Sequence, residues 1–348
     1  MTAYKKHKIC LIYTGGTIGM HRDINGTLRP PGNPAYFLEI APELRESAEF
    51  DFVPLLNKDS ANMNPGDWGI IAKTIYERRN NGYSGFVVAH GTDTMHFSAS
   101  AVAFALGKNL NFPVVFTGSQ TAPDVLHGDA RINLLRAFKV AGTDIAEVVI
   151  CFGDYVFRGC RAQKKDERRF DAFESPSFFP LAHITENIII NDIAMKRKTK
   201  NEDIDLKNDF SGGIIQIPLI PGLEPELLLH LLYDDKCKGI ILQPFGAGNV
   251  PNESPCSWVD FIEESTMRGK PVLFAGQFSA NATLHSSYAT GKAAIDAGAV
   301  PTGNMTSACA AVKFRWALAQ AEKTGSDKKA KSEKIREMMN TVYIGEFN

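Results

Sequence analysis

The chain has 348 residues, enough for about two domains of ~150 residues each and for cores that need neither disulfide nor metal. Hydrophobic residues make up 44% and charged residues 22%, and 38 basic against 39 acidic side chains leave a formal charge of -1. That balance excludes a disulfide-stapled toxin, and it speaks against a collagen, a disordered chain and a binder that holds nucleic acid through a basic surface.

At the start of the chain Lys5, Lys6 and Lys8 precede an apolar run of only residues 9–13, too short for a secretory signal. Residues 8–13, 86–89, 114–117 and 147–152 are short apolar runs rich in β-branched side chains and read as buried parallel strands. Between them, Asn64-Pro65 ahead of Trp68, Ile71, Ala72 and Ile75 supplies a cap, a first-turn proline and the apolar stripe of a helix. Residues 129–140, with Ile132, Leu135 and Ala137 on a related face, predict another helix. This alternation is that of βα units building a sheet covered on both faces.

The composition turns charged and apolar-poor over residues 196–210, after which Gly212-Gly213 opens a new strand at 214–219. We therefore expect an N-terminal domain at 1–195, a linker at 196–211 and a smaller C-terminal α/β domain at 212–348. In the latter, strands at 239–242 and 271–275 alternate with helices at 223–232, 257–267, 292–297 and 306–321. Ile335, Met338 and Met339 predict a final docked helix. No run approaches the ~18 apolar residues of a membrane span, so a soluble, cytoplasmic protein is expected. The six cysteines show no Cys-x-x-Cys pairing and read as reduced, mostly buried small hydrophobes.

Several chemistries fail at the motif level. Thr14-Gly15-Gly16-Thr17-Ile18-Gly19 is not a dinucleotide fingerprint, and no Gly-Lys pair has the glycine and hydroxyl spacing of a phosphate loop. There is no His-Glu-x-x-His, and Gly118-Ser119 lacks the second glycine of a nucleophile elbow. We expect no metal and no cofactor.

What remains is a set of hydroxyl residues at strand ends, where open α/β sheets hold their ligands. Thr14-Gly15-Gly16-Thr17 ends the first strand, and His90-Gly91-Thr92-Asp93-Thr94 ends a later one. Paired glycines let backbone approach a substrate closely and leave the Thr17 hydroxyl clear. Each motif also has a plainer reading, in which the threonines cap backbone and Asp93 or Thr92 caps the following helix.

Taken together the motifs resemble the bacterial-type L-asparaginase family over nearly the whole chain. The residues that carry the resemblance are Tyr13 to Met20, Asp59-Ser60-Ala61-Asn62-Met63, His90 to Met95, Thr117-Gly118-Ser119-Gln120, and Phe157-Arg158-Gly159 with Lys164. Thr17-Ile18-Gly19-Met20 and Phe170-Asp171-Ala172-Phe173 are similar to the cytosolic type I branch. The resemblance implies a two-domain asparaginase-like α/β fold, with a larger N-terminal parallel-sheet domain.

It also implies that Thr17 attacks the side-chain amide of L-asparagine, while Thr92, Asp93 and Lys164 handle protons. Gly16, Asp59, Ser60, Ala61, Thr92, Asp93 and Ser119 would contact substrate. Asp93 suits the α-ammonium, and Ser60 with nearby backbone donors suits the α-carboxylate. A lysine serves as a base only where its ammonium is disfavoured, so Lys164 should be desolvated; its plainer reading is a surface lysine beside Lys165 and Arg161. Asp59 is equally well an ordinary loop aspartate.

Threonine in Gly26-Thr27-Leu28 stands where many members carry a lid tyrosine, a role Tyr288 would take unless it only packs at a helix start. Asn249 resembles an asparagine that reaches a neighbouring subunit's site, or else serves its own turn. The partners implied are asparagine and further copies of the chain, as a homodimer or homotetramer, with no nucleic acid and no membrane. Two alternatives stand beside this reading. One is the related amidotransferase subunit acting on misacylated tRNA, disfavoured by a first motif at Tyr13 and by the charge balance. The other is a catalytically silent amino-acid-binding protein, disfavoured by Thr17, Thr92, Asp93 and Lys164 occurring together.

Overall fold

The computed structural model describes residues 6–22, 25, 27–29, 33, 35–200, 202–246, 248–277, 289–325 and 327–348. The chain divides into two compact units, Met1–Asn208 and Asp209–Asn348. The stretch 196–211 straddles that division.

The first unit contains β1 (His7–Tyr13), β2 (Ala48–Pro54), β3 (Gly85–Ala89), β4 (Val114–Thr117), β5 (Val148–Phe152), β6 (Tyr155–Arg158), β7 (Ala182–Ile184) and β8 (Ile188–Ile190). They form one sheet in the order β8-β7-β6-β5-β4-β3-β1-β2. The part from β2 to β5 is parallel, as the buried apolar runs predict. Beyond it β6, β7 and β8 pair antiparallel, so the sheet is mixed where the sequence reading expects a parallel one. The cause is local. Gly153-Asp154 joins β5 to β6 in a tight hairpin, with Gly153 at φ 56 and Phe152 opposite Tyr155.

Crossover helices Pro65–Arg78, Met95–Leu106 and Ala130–Ala141 link the parallel strands. The first is held by a full capping box, Asn64 accepting from Gly66 and Asp67 while the Asp67 carboxylate accepts from the Asn64 N–H. The third buries Leu134, Ala137 and Phe138, whereas Ile132 is 40% exposed, so its core face is rotated from the expected one. Ile9, Leu11 and Tyr13 of β1 join that helix in one core layer. Cys10 and Ile12 alternate with them, point to the opposite face by the period of two, and are equally buried.

The order β2-β1-β3-β4-β5 makes the chain leave β1 to one side and return on the other. Such a reversal opens a crevice at the carboxyl ends of β1 and β3, where open α/β sheets take their ligands.

The second unit carries a parallel sheet of β9 (Ile214–Pro218), β10 (Gly239–Gln243), β11 (Val272–Phe274) and β12 (Val300–Pro301). Its core joins Leu242 and Phe274 to Trp258, Phe261 and Ile262. The expected helix at 223–232 is a 3-10 turn, Pro225–Leu228, followed by a short α-helix, His230–Tyr233. The final helix, Lys328–Asn340, docks through Ile335, Met338 and Met339 as predicted. All six cysteines are free thiols and five are buried. No helix among the described residues is long and apolar enough to cross a membrane.

Helix Ser307–Glu322 contributes a feature the sequence does not announce. Lys313 and Glu346, both 0% exposed, pair at 2.6 Å. Lys313 Nζ also donates to the Met339 and Thr341 carbonyls, and Glu346 accepts from the Tyr343 and Ile344 N–H groups. Removing one member of such a pair strands the other charge out of water. Glu346→Gln should therefore destabilise the unit by about 3–5 kcal/mol, and Lys313→Met combined with it should recover part of the loss. Urea unfolding of the parent and the two variants checks this, and an unchanged midpoint in Glu346→Gln contradicts it.

Candidate active site

At the end of β1 the chain turns through Thr14, Gly15 and Gly16. The Thr14 N–H and hydroxyl both donate to the Ala89 carbonyl of β3, at 3.0 and 2.9 Å, and the Lys58 N–H donates to the Thr14 carbonyl. Gly15 and Gly16 hold φ 121 and 86, which side chains disfavour. A Cβ on Gly15 would overlap the Lys58 carbonyl, and one on Gly16 the Gly91 backbone. The paired glycines thus admit neighbouring loops, a closer reason for them than substrate approach. They also bring Thr17 and Thr92, one residue beyond each member of the Gly16–Gly91 contact, onto adjoining loops.

Thr14 takes the backbone-capping role, but Thr17 does not. It begins the 3-10 turn Thr17–Gly19, is half-buried, and its hydroxyl makes no hydrogen bond to a described residue. Tyr13 beneath it is buried with its hydroxyl unpartnered among the described residues, and burial pushes that phenol well above its ordinary value.

The end of β3 holds the second group. Thr92 Oγ1 accepts from Lys164 Nζ at 2.8 Å and donates to Gln120 Oε1 at 3.1 Å. Lys164 Nζ also donates to Asp93 Oδ1 at 2.6 Å. The Lys164 side chain is only 12% exposed, against 64% for Asp93, so it is not the surface lysine of the plainer reading. Neither Asp93 nor Thr92 caps helix Met95–Leu106. Thr94 occupies the cap position without a side-chain cap bond, and its hydroxyl donates instead to the Ser60 carbonyl at 2.7 Å.

Lys164 sits on a two-residue strand, Gln163–Lys164, paired with Phe173–Glu174 so that Phe173 lies opposite Lys164. Phe173 packs on Phe152 and, edge-on, on His96. His96 is held neutral, its pKa lowered to about 4 by burial and then by the Lys164 charge. His90, fully buried with Nδ1 against the Gly91 carbonyl, is lowered to about 4 by burial.

Both histidines therefore take up protons less readily folded than unfolded, where the ordinary value is 6.5. Stability should be complete above about pH 6.5 and fall as the pH drops from there through 4. Melting temperature against pH tests this. The slope should shrink in His96→Phe, and a curve identical to the parent's speaks against the assignment.

Asp59 caps the 3-10 turn Ser60–Asn62, its carboxylate accepting from the Ala61 N–H at 2.9 Å, so its turn role is realised. Ser60 is buried, while Asp59 and Ala61 are exposed. Ser119 is buried, its hydroxyl donating to the Thr121 carbonyl. Asn249 lies in the second unit, where its backbone pairs with Phe245 in a turn and its Oδ1 accepts from Thr290. Tyr288 lies outside the described residues, as does Gly26.

Gln120, Asp129 and Asn133 are the contributors that motif reading leaves unassigned. The buried Asp129 carboxylate accepts from the Gln120 and Thr121 N–H groups and from Asn133 Nδ2, while Asn133 also donates to the Gly118 carbonyl. Asp129 was readable only as a helix start; it stands at the N-cap but turns its carboxylate back to the loop. Among the described residues no group of three or more His, Cys, Asp or Glu is placed to hold a metal ion.

Residues 8–196 match the family model described as Asparaginase, N-terminal, and residues 214–339 the one described as Glutaminase/Asparaginase C-terminal domain. The chain is 34% identical to L-asparaginase 1 of Escherichia coli K12, over 95% of this chain and 98% of that protein. It is 32% identical to a subunit of the glutamyl-tRNA(Gln) amidotransferase of Methanosphaera stadtmanae, over 99% of this chain and 77% of that one. Among solved structures, L-asparaginase I from Vibrio cholerae superposes with a TM-score of 0.86 at 30% identity, covering 99% of this chain and 100% of that one.

Proposed function

The chain belongs to the asparaginase family through both of its domains, and from that premise we propose that it is an L-asparagine amidohydrolase of the cytosolic type I branch. The observation that carries the reading is the Lys164–Thr92–Asp93 cluster, whose Thr92 and Asp93 lie on a loop that abuts the one bearing Thr17. Thr17 Oγ attacks the side-chain amide carbon of asparagine, its proton passes through Thr92 and Lys164, and the departing nitrogen is protonated to ammonia. Water then attacks the β-aspartyl ester, releasing aspartate and returning the proton to Thr17.

Asp93 takes Lys164 on Oδ1 and offers Oδ2 to the substrate ammonium; Ser60 and neighbouring backbone donors take the α-carboxylate. Gly16, Asp59, Ala61 and the Ser119 backbone complete the contacts. Lid closure by Tyr288, a cross-subunit reach by Asn249, homodimer or homotetramer assembly and a cytoplasmic setting belong to the same proposal.

The 34% identity to L-asparaginase 1 of Escherichia coli supports the first reading. The match to the archaeal amidotransferase supports a second reading, a tRNA-linked amidotransferase subunit. Ammonia release from free asparagine by the purified protein tests the choice; no release at millimolar asparagine overturns the first reading.

Asparagine should be preferred over glutamine. Ala61 stands where some dual-specificity relatives carry glutamine, and one methylene discriminates by about 1–3 kcal/mol, so kcat/KM should differ about 10–200-fold. Equal values for the two amides refute this.

A further inference from the structure

A hollow of about 210 Å³ opens on the second unit, and five of the side chains that line it are cationic against two carboxylates, Asp235 and Glu322. The whole chain carries a formal charge of -1, so this concentration is local. Arg268 is committed elsewhere, its Nε donating to Glu264 at 2.5 Å and its guanidinium lying 3.9 Å over the Tyr233 ring. Lys270 donates to the Leu231 and Asp234 carbonyls, which leaves one of its three N–H groups uncommitted. Lys238, Lys328 and Lys331 form no ion pair with a described residue.

Like charges converge on one concavity. Lys328 and Lys331 sit in the first turn of helix Lys328–Asn340, whose positive dipole end is met by the carboxylate of the N-cap Asp327, which accepts from the Ala330 N–H. Leu318, Ala321 and Ile335 supply apolar lining beside them. The volume far exceeds the ~10–15 Å³ that one water needs on the same measure, which leaves room for a pyrophosphate-sized group.

We infer that this hollow is a binding site for a small phosphorylated anion, held by Lys238, Lys270, Lys328 and Lys331. The chemistry selects phosphate over carboxylate. Four ammonium groups around one hollow match the several negative charges of a phosphoryl or pyrophosphoryl group better than the single charge of a carboxylate, and lysine meets phosphate as a point charge without needing arginine's planar fork. All the residues lie in the second unit, so the inference stands or falls separately from the catalytic reading.

The test uses the full chain with inorganic pyrophosphate as probe, by titration calorimetry and thermal unfolding at low ionic strength, with sulfate at matched ionic strength for comparison. Pyrophosphate should raise the melting temperature and bind more tightly than sulfate, with an affinity that falls as salt is added. The double variant Lys238→Gln, Lys331→Gln should bind at least about tenfold more weakly, while its unliganded melting temperature stays level or rises as repulsion is relieved. Pyrophosphate binding no tighter than sulfate, or equal binding by the double variant, overturns the inference.

Discussion

Replacing Thr17 with alanine is expected to abolish turnover of asparagine while asparagine binding stays measurable. On the proposed mechanism the substitution deletes the oxygen that becomes covalently linked to the substrate, and the neighbouring threonine hydroxyls among the described residues are committed elsewhere. Thr14 is tied to the Ala89 carbonyl, and Thr92 lies between Lys164 and Gln120. Loss of a covalent nucleophile lowers kcat by on the order of 10⁴-fold or more, leaving only what binding and polarisation supply. The fold should be indifferent, because the Thr17 hydroxyl makes no hydrogen bond to a described residue and its loop is set by Gly15 and Gly16. Melting temperature should match the parent's, and calorimetry with asparagine should still show binding through Asp93 and Ser60. Turnover within tenfold of the parent removes Thr17 from the nucleophile's role.

How much of this site a reader of the sequence sees depends on how local its causes are. β1, β3, β4 and β5 are buried on both faces, so they show as unbroken apolar runs. β2, at one edge of the sheet, sets half-buried Phe50 and Phe52 between exposed Glu49 and Asp51, and the reading by apolar runs passes over it. β7 and β8 are three residues each, too short for a periodic signal. The Gly153-Asp154 turn was a readable hairpin marker, and it explains why the sheet stops being parallel at β6.

The same division runs through the site. Thr17, Thr92 and Asp93 stand in short motifs at strand ends, where position in the chain and chemical type coincide. Gln120 acquires its meaning only through Thr92, 28 residues earlier, and Asp129 only by folding back on the loop that carries Gln120. Lys164 is half-buried where Phe173 pairs with it across a two-residue ladder backed by Phe152. None of these contacts has a local signature, since each is made by tertiary packing between segments with no common period.

Lys164→Met is the stronger test of the proton relay, because methionine keeps an unbranched side chain of similar length and removes only the charge and its donors. In the parent, Lys164 Nζ holds two groups at once, Thr92 Oγ1 at 2.8 Å and Asp93 Oδ1 at 2.6 Å. Without it Thr92 keeps Gln120 alone, and Asp93, already 64% exposed, turns to solvent. Proton transfer by a positioned group contributes about 10²–10⁴-fold, so kcat should fall by that amount, and the limb of the pH–rate profile set by the relay should disappear. KM should rise far less, since the substitution leaves in place Ser60 and Asp93, the side chains proposed to hold the α-carboxylate and the α-ammonium. A purely structural lysine predicts the opposite division, with lower thermal stability, weaker binding through a displaced Asp93 and an unaltered pH profile. The KM-against-kcat split and the profile therefore separate the two roles. A variant with the parent's rate and pH profile leaves Thr92 and Asp93 as the only proton-handling groups, and the Thr17 proton must then pass by another route.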